Sequence, residues 1–245
     1  MAETLFISDL HLSGERPDTV QLFLDFLQQR APRTQELYIL GDLFDVWIGD
    51  DLVQPPIPQI KDALRRLTAG GTRAWLMHGN RDFLIGPAFC RETGLELLDD
   101  PVKIELQGTP TLLMHGDLLC SDDLAYQAFR QHVHDPAMIE RFLALPIPQR
   151  IETAASYRAQ SGEAKSTKAA DIMDVNQQTV EGYMLEQAVQ QLIHGHTHRP
   201  GLHRFELAGR PAQRHVLAAW QPRQAELLRV DERGWQREPF PAPAP

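Results

Sequence analysis

The chain has 245 residues, with 24 Lys and Arg against 33 Asp and Glu, ten His and two Cys. That length suits one large domain or a domain with a sizeable insertion, and 42% hydrophobic with 23% charged residues excludes a disordered chain. A net charge of −9 argues against a general nucleic-acid binder. Cys90 and Cys120 lack the number and spacing of a disulfide framework, which points to free thiols in a reducing compartment. The first residues show no signal-peptide pattern and no apolar run reaches the roughly 18 residues of a membrane span, so the expectation is a chain that is neither secreted nor membrane-spanning.

In chain order, Leu5-Phe6-Ile7 predicts a strand that ends in Ser8-Asp9-Leu10-His11. A helix follows, with Val20, Phe23, Leu24 and Leu27 at helical spacing and Asp18 as its expected N-cap. Leu37–Leu40 predicts a second strand, running into Gly41-Asp42. A second helix over 57–67 is entered through Pro55, Pro56 and Pro58 and closed by Gly70-Gly71. Ala74–Met77 is the third predicted strand and leads into His78-Gly79-Asn80-Arg81-Asp82. Runs without polar alternation suit strands buried on both faces, and the strand-helix alternation predicts a mostly parallel α/β sheet. In such a sheet ligands gather beyond the C-terminal strand ends.

Thr111–Met114 continues the pattern into His115-Gly116-Asp117. From residue 118 to 185 the strand signal stops; helices are predicted over 123–133, 136–145 and 151–160 and from Asn176, as an inserted helical cap. Leu192-Ile193 then leads into His194-Gly195-His196-Thr197-His198. Residues 201–230 alternate apolar and polar like β-hairpins, with turns at 209–211 and 221–222, and 241–245 reads as a disordered tail.

Asp9, His11, Asp42, Asn80, His115, His196 and His198 all fall at or just past strand ends. Carboxylate, amide and imidazole without thiolate suit Mn²⁺ or Fe²⁺ better than structural zinc. Asp9 and His11 point to one side of an extended chain and can share an ion, as can His196 and His198; Asp42 can bridge a pair. Any one His at a strand end is more often structural. Seven such residues along one predicted edge predict a dimetal site, of the kind that clamps phosphoryl oxygens during in-line attack. His78 and His194 are expected behind the ligands, Asp45 and Asp82 in turns or behind the ligands, and His132 and His134 on the cap surface.

Asp9-Leu10-His11, Gly41-Asp42-Leu43-Phe44-Asp45, Gly79-Asn80-Arg81-Asp82, His115-Gly116-Asp117 and Gly195-His196-Thr197-His198 resemble, in order, the signature of calcineurin-like metallophosphoesterases. The resemblance implies a four-layer α/β/β/α sandwich with an inserted helical cap. It implies one metal on Asp9, His11, Asp42 and His198 and another on Asp42, Asn80, His115 and His196. Arg81 stands where the superfamily usually has His. A permanent cation cannot act as the general acid, but it suits a phosphate leaving group, which points to anhydride cleavage.

More narrowly, residues 6–12, 38–42, 76–86 and 193–200 resemble the UDP-2,3-diacylglucosamine hydrolase family, and the likeness continues at 118–120 and 168–172. That resemblance implies two Mn²⁺ and attack of water on the α-phosphorus of UDP-2,3-diacylglucosamine, giving UMP and 2,3-diacylglucosamine 1-phosphate (lipid X) for lipid A. It implies catalytic roles for Asp42, Asn80, Arg81 and His115, and substrate contacts at Asn80, Arg81, Asp123, Ser161, Lys165, Lys168 and His196. Residues 1–117 and 186–240 are then the core and 118–185 an acyl-binding cap, whose Leu124, Ala128, Phe129, Val133, Met138, Ile139, Phe142 and Leu143 are expected to line a groove. The implied setting is a monomer in peripheral contact with the cytoplasmic face of the inner membrane. Two rivals are a metallophosphoesterase for a soluble dinucleotide or phosphodiester, and a metal-free binding scaffold. Ala218-Ala219 depart from the Gly-Asp expected before Trp220.

Overall fold

The first three apolar runs become the middle of one sheet. In the computed structural model, which describes residues 3–167 and 174–242 without the side chains of 160–167, they are β1 (Thr4–Ile7), β2 (Glu36–Leu40) and β3 (Arg73–Met77). They pair in parallel and nearly level, Ile7 opposite Ile39 and Leu40 opposite Met77, so their C-terminal ends open on one edge. Helices α1 (Pro17–Gln29), α2 (Ile57–Ala69) and α3 (Pro87–Thr93) cover the outer face of this sheet. The order is completed by β4 (Glu96–Leu98) beyond β3, and by an antiparallel pair, β10 and β11, beyond β1.

A second sheet is built from β5 (Val102–Leu106), β6 (Thr109–Leu113), β7 (Gln191–His194), β8 (Gly201–Leu207) and β9 (Arg210–Val216), in the order β5-β6-β7-β9-β8. Here β6 and β7 are parallel and level, Leu113 opposite Ile193, and deliver His115 and His196 to the same edge. Between β6 and β7 the chain makes α4 (Leu124–Val133), α5 (Pro136–Leu143), α6 (Ile147–Thr167) and α7 (Gln177–Glu186). The two remaining strands of the first sheet are β10 (Ala225–Asp231) and β11 (Gly234–Phe240).

Three apolar layers hold this together. Phe23, Phe26, Leu64 and Phe89 pack the helices on the first sheet; Phe6, Leu40, Met77, Leu113 and Ile193 fill the space between sheets; Val180 and Met184 of α7 pack on Leu112, Met114 and Leu192. The result is the four-layer α/β/β/α sandwich. The outermost layer on the second sheet is α7, which falls inside the 118–185 segment, whereas α4 and α5 bury no residue of their own.

Several local expectations change. The sheet is not mostly parallel: the chain splits into two mixed sheets, because β10 returns from the second sheet to pair antiparallel with β1. That places the turn at 221–222 in a crossover between sheets, closed by the Gln221–Gln224 bridge. Asp18 lies in the first turn of α1 behind Pro17, and the N-cap position is Arg16, whose side chain makes no cap bond there. Its guanidinium instead donates to the carbonyls of Leu10 (3.0 Å), His11 (3.3 Å) and Trp220 (2.9 Å). Helix α6 begins at Ile147 rather than Ile151, since Pro148 sits in the first turn, where its missing N–H is no loss. The tail expected over 241–245 lies, from 243 onward, outside the described residues.

Trp220 is fully buried, edge-on to Phe23 (5.9 Å between ring centroids) and Phe26 (5.5 Å), and its backbone N–H donates to the Asp9 carbonyl at 3.1 Å. Ala218-Ala219 therefore lead directly into a residue that fixes the first ligand loop. Phe26 also meets Phe240 at 5.7 Å, so Phe26→Ala empties the junction of α1, β11 and this loop. The expected cost is about 3–5 kcal/mol in urea unfolding of the metal-free chain; a change below about 1 kcal/mol contradicts this packing role.

Candidate metal centre

The candidate ligands leave their strands through left-handed backbone. Asp9 (φ 55°), His11 (49°), Asp42 (53°), His196 (67°) and His198 (56°) account for five of the nine non-glycine residues with positive φ among the described residues. The extended-chain picture of Asp9-x-His11 and His196-x-His198 is therefore wrong. The chain coils at each of these five residues, at a cost of roughly 1–2 kcal/mol per residue. Backbone bonds between neighbouring loops hold it there: Asp9 N to Gly41 O (3.1 Å), Leu10 N to Asp42 O (2.9 Å) and Gly195 N to His115 O (2.8 Å).

Two groups of donor atoms result. In the first, His198 Nε2 lies 3.3 Å from Asp9 Oδ1 and 3.1 Å from His11 Nε2, which is 3.8 Å from Asp42 Oδ2. In the second, Asn80 Oδ1 lies 3.1 Å from His115 Nε2 and 3.0 Å from His196 Nδ1, and these two nitrogens are 3.3 Å apart. The same Asp42 Oδ2 stands 3.9 Å from His115 Nε2, so it faces both groups. Asp9, His11 and His198 can hold one ion, and Asp9, Asp42 and His115 also converge closely enough to share one.

The chemistry of these atoms fits a cation. His115 Nδ1 donates to the Leu40 carbonyl at 2.9 Å, which leaves the lone pair on Nε2, facing the Asn80 oxygen. Lone pairs facing lone pairs repel unless a positive charge stands between them. Charge tells the same story: burial pushes Asp42 up to about 8, with Asp82 and Asp9 adding to the rise and His115 opposing it. Burial alone would depress His115, yet the carboxylates of Asp42, Asp117 and Asp9 raise it to about 9. At Asp9 burial acts upward, but the His198 hydrogen bond and the charges of His115 and His198 outweigh it and hold the carboxyl well below its ordinary range. Without a metal, protons on histidine take the place a divalent ion would fill.

Around the ligands sit the groups that orient them. Ser8 Oγ donates to Asp9 Oδ2 (2.6 Å), as does His196 N (2.9 Å), and Arg81 N donates to Asp42 Oδ1 (2.8 Å). Asp82 is fully buried and accepts from the backbone of Gly79 (2.9 Å), Phe44 (3.2 Å) and Asp42 (3.3 Å). His194 donates through Nδ1 to Gly195 O (2.8 Å) and its Nε2 accepts from Arg214 (3.0 Å), while His78 reaches Ile85 O (2.7 Å). Asp45 is more than a turn residue, since it takes the Arg158 guanidinium at 2.7 Å and lies 3.9 Å from His11 Nδ1.

A groove enclosing about 980 Å³, including its open mouth, runs from this cluster under the helical insertion. Asn80 and Arg81 line its inner end; Val46, Trp47, Phe83 and Leu84 form its core wall, and Phe129, Val133, Met138, Ile139 and Phe142 its cap wall. Leu124, Ala128 and Leu143 do not line it: Leu124 is 76% exposed, Ala128 is exposed as well, and the Leu143 side chain lies beside Gly49 instead. His132 is exposed as expected, but His134 stacks on Phe83 at 4.4 Å along the groove, and burial lowers its pKa to about 4. Asp123 caps α4, accepting from Tyr126 N at 3.0 Å. The side chains of Ser161 and Lys165, and Lys168 entirely, lie outside the described residues. Tyr126, Arg130 and Arg158 also line the groove and were missed from sequence, although Tyr126 and Arg130 stand one helical turn apart on α4.

Gly195 must be glycine for reasons of space, since a Cβ there would collide with Asp9 Oδ2 and Ser8 Oγ. Gly195→Ala is expected to fold but to displace Asp9, weakening Mn²⁺ binding at least about tenfold in a calorimetric titration. Wild-type affinity in that variant would show that Asp9 is not held where this geometry has it.

A family model for calcineurin-like phosphoesterases matches residues 3–200. A UDP-2,3-diacylglucosamine hydrolase of Pseudomonas paraeruginosa is 50% identical over 237 residues, covering 97% of this chain and 98% of that protein. Proteins of the same name from Azotobacter vinelandii (47% identical, covering 97% and 98%) and Chromohalobacter salexigens (49%, covering 94% and 93%) are similar to it along nearly their whole lengths. The chain belongs to the calcineurin-like phosphoesterases and, within them, to the UDP-2,3-diacylglucosamine hydrolase family.

Proposed function

We propose that this enzyme hydrolyses the pyrophosphate bond of UDP-2,3-diacylglucosamine, with water attacking the α-phosphorus, to give UMP and 2,3-diacylglucosamine 1-phosphate (lipid X) for lipid A. The observation that carries this reading is the junction at Asn80 and Arg81, where a cluster of cation-binding atoms meets a groove walled by Trp47, Phe83, Phe129, Ile139 and Phe142. A diphosphate bearing acyl chains needs both, side by side. A soluble dinucleotide would leave the apolar walls wet, and a metal-free scaffold would have no use for a buried, convergent set of cation-binding atoms.

In this reading Asp9, His11, Asp42 and His198 would hold one Mn²⁺, and Asp42, Asn80, His115 and His196 the other, Asp42 being the carboxylate that faces both groups. Ligands without sulfur favour Mn²⁺ over structural zinc. When bound, two divalent ions neutralise the phosphoryl oxygens and acidify the attacking water. The chain does the rest. Ser8 and the His196 amide keep Asp9 aimed, the Leu40 carbonyl fixes the His115 tautomer, and the Arg81 amide orients Asp42. Among the described residues no side chain accepts from the Arg81 guanidinium, which leaves it for the charge that develops on the departing phosphate. That group leaves as an anion and needs no proton.

Residues 1–117 and 186–240 then supply the phosphate chemistry, and the 118–185 insertion supplies α4–α6 as the acyl-binding wall, with Asp123, Ser161, Lys165 and Lys168 reaching the remainder of the substrate. Among the described residues no helix is long and apolar enough to cross a membrane. In this reading the chain acts as a monomer in peripheral contact with the cytoplasmic face of the inner membrane, and exposed Leu124, Leu143 and Ile151 on the insertion are the apolar side chains that support such contact.

Mass-spectrometric detection of UMP from the diacyl substrate, with Mn²⁺ and with chelator, tests the reading; faster turnover of a water-soluble dinucleotide would overturn it. Asp42→Ala removes the bridge and is expected to lower kcat by at least about a thousandfold, comparable to losing a main electrostatic stabiliser. Near-normal turnover would refute the bridging role.

A further inference from the structure

Helix α4 is joined to the site through one carboxylate. Asp117, buried in the turn that follows His115 and Gly116, accepts at Oδ2 from the Tyr126 hydroxyl (2.6 Å) and from Arg130 Nε (2.6 Å), while its Oδ1 accepts from Leu118 N (2.9 Å). Gln127 Nε2 adds bonds to the carbonyls of Asp117 (2.8 Å) and Cys120 (3.2 Å). Since α4 buries no residue, this polar joint rather than apolar packing determines where the helix stands.

The joint also decides what lies beside His196. The Tyr126 ring sits 6.0 Å from the His196 imidazole at 34°, and the His115 ring packs edge-on against the same imidazole at 5.1 Å and 73°. Both separations lie within the range at which rings attract. His196 comes from the loop after β7 and Tyr126 from the insertion, so two separate parts of the chain meet at a side chain whose Nδ1 faces Asn80 Oδ1.

We propose that Tyr126, held by Asp117, is a positioning residue for His196, so that docking of α4 completes the second metal position. The inference rests on the reading that His196 is a metal ligand. It gives the insertion a second duty besides lining the groove: the second metal position is complete only when α4 is docked on Asp117, which links metal loading to the seating of that helix.

The test is calorimetric titration of the metal-free chain with Mn²⁺, alongside kcat and KM, for the wild type, Tyr126→Ala, Tyr126→Phe and Asp117→Asn, with unfolding curves to confirm that each variant folds. Tyr126→Ala is expected to weaken one of the two Mn²⁺ sites about 10- to 100-fold, the range for partners that orient a ligand, and to leave the other within about threefold. Tyr126→Phe keeps the ring but loses its anchor, and Asp117→Asn weakens that anchor; both are expected to fall between Tyr126→Ala and the wild type. In all three, kcat at limiting Mn²⁺ falls and excess Mn²⁺ restores it, whatever change in KM the loss of the groove-lining ring adds. Wild-type affinity at both sites in Tyr126→Ala, or a loss confined to KM, overturns the inference and leaves the functional reading standing. Should Tyr126→Ala not fold, unchanged affinity in both Tyr126→Phe and Asp117→Asn has the same force. A wild-type chain that binds no Mn²⁺ overturns the functional reading and this inference with it.

Discussion

Lone pairs that repel one another are gathered at one edge of this fold, and the rest of the structure exists to keep them there. Asn80 Oδ1, His115 Nε2 and His196 Nδ1 lie within 3.3 Å of one another, and Asp42 and Asp9 are buried among them. In isolation such a cluster would be unfavourable by several kcal/mol per buried charge. It persists because the scaffold overdetermines it: five parallel strand ends in two sheets open on the same edge, and the layers behind them are packed solid with Phe6, Leu40, Met77, Leu113 and Ile193.

The left-handed residues belong to the same economy. Coiling at Asp9, His11, Asp42, His196 and His198 turns each side chain inward at the earliest point beyond its strand, which a straight continuation would not do. The strain is shared out through neighbouring loops. Arg16 closes the first loop by serving two of its carbonyls and that of Trp220, and the Trp220 backbone N–H closes it from the far side. Small residues matter here only where backbones and ligands touch, as at Gly79, where a Cβ would overlap the Asp42 carboxylate, and at Gly195 against Asp9.

Much of this was legible in the sequence because each ligand ends an apolar run, and burial of a strand on both faces writes itself as an uninterrupted stretch of Leu, Ile, Phe and Met. The positions of Asp9, Asp42, Asn80, His115 and His196 on one edge follow from that pattern alone. Partition into two sheets does not, because β10 has the same alternation whether it pairs with its hairpin partner or crosses to β1. The short edge strands β4 and β5 have too few buried positions to stand out, with only Leu106 of β5 fully buried. Local propensity likewise cannot show that Asp9 and His11 lie at positive φ, since only the tertiary bonds of their loop make that conformation tolerable. Tyr126, Arg130 and Asp117 were invisible for another reason: their meaning arises from contact between segments, and Tyr126 alone on a helix reads as ordinary surface aromatic.

The insertion is fastened in a manner that fits its place over a groove. Helix α7 is seated on the second sheet by Val180 and Met184, and Phe142, Ile147 and Ala154 touch the first apolar layer, while α4 and α6 are fastened to the core through three arginines: Arg130 to Asp117, Arg158 to Asp45, and Arg150 to Asp51 and the carbonyl of Ile48. Guanidinium groups suit this because one planar fork satisfies several acceptors in a fixed geometry and remains charged at any physiological pH. Apolar packing of α4 and α5 on the core would have closed the groove with their own side chains. Polar fastenings instead hold the helices at a distance, so that Phe129, Val133, Met138, Ile139 and Phe142 stay available along the groove wall. Two of the three pairs end beside the metal cluster, Asp117 two residues after His115 and Asp45 at 3.9 Å from His11. A shift of the insertion therefore cannot occur without disturbing carboxylates that the candidate ligands also sense, and the cap wall of the groove is mechanically continuous with the loops that carry those ligands.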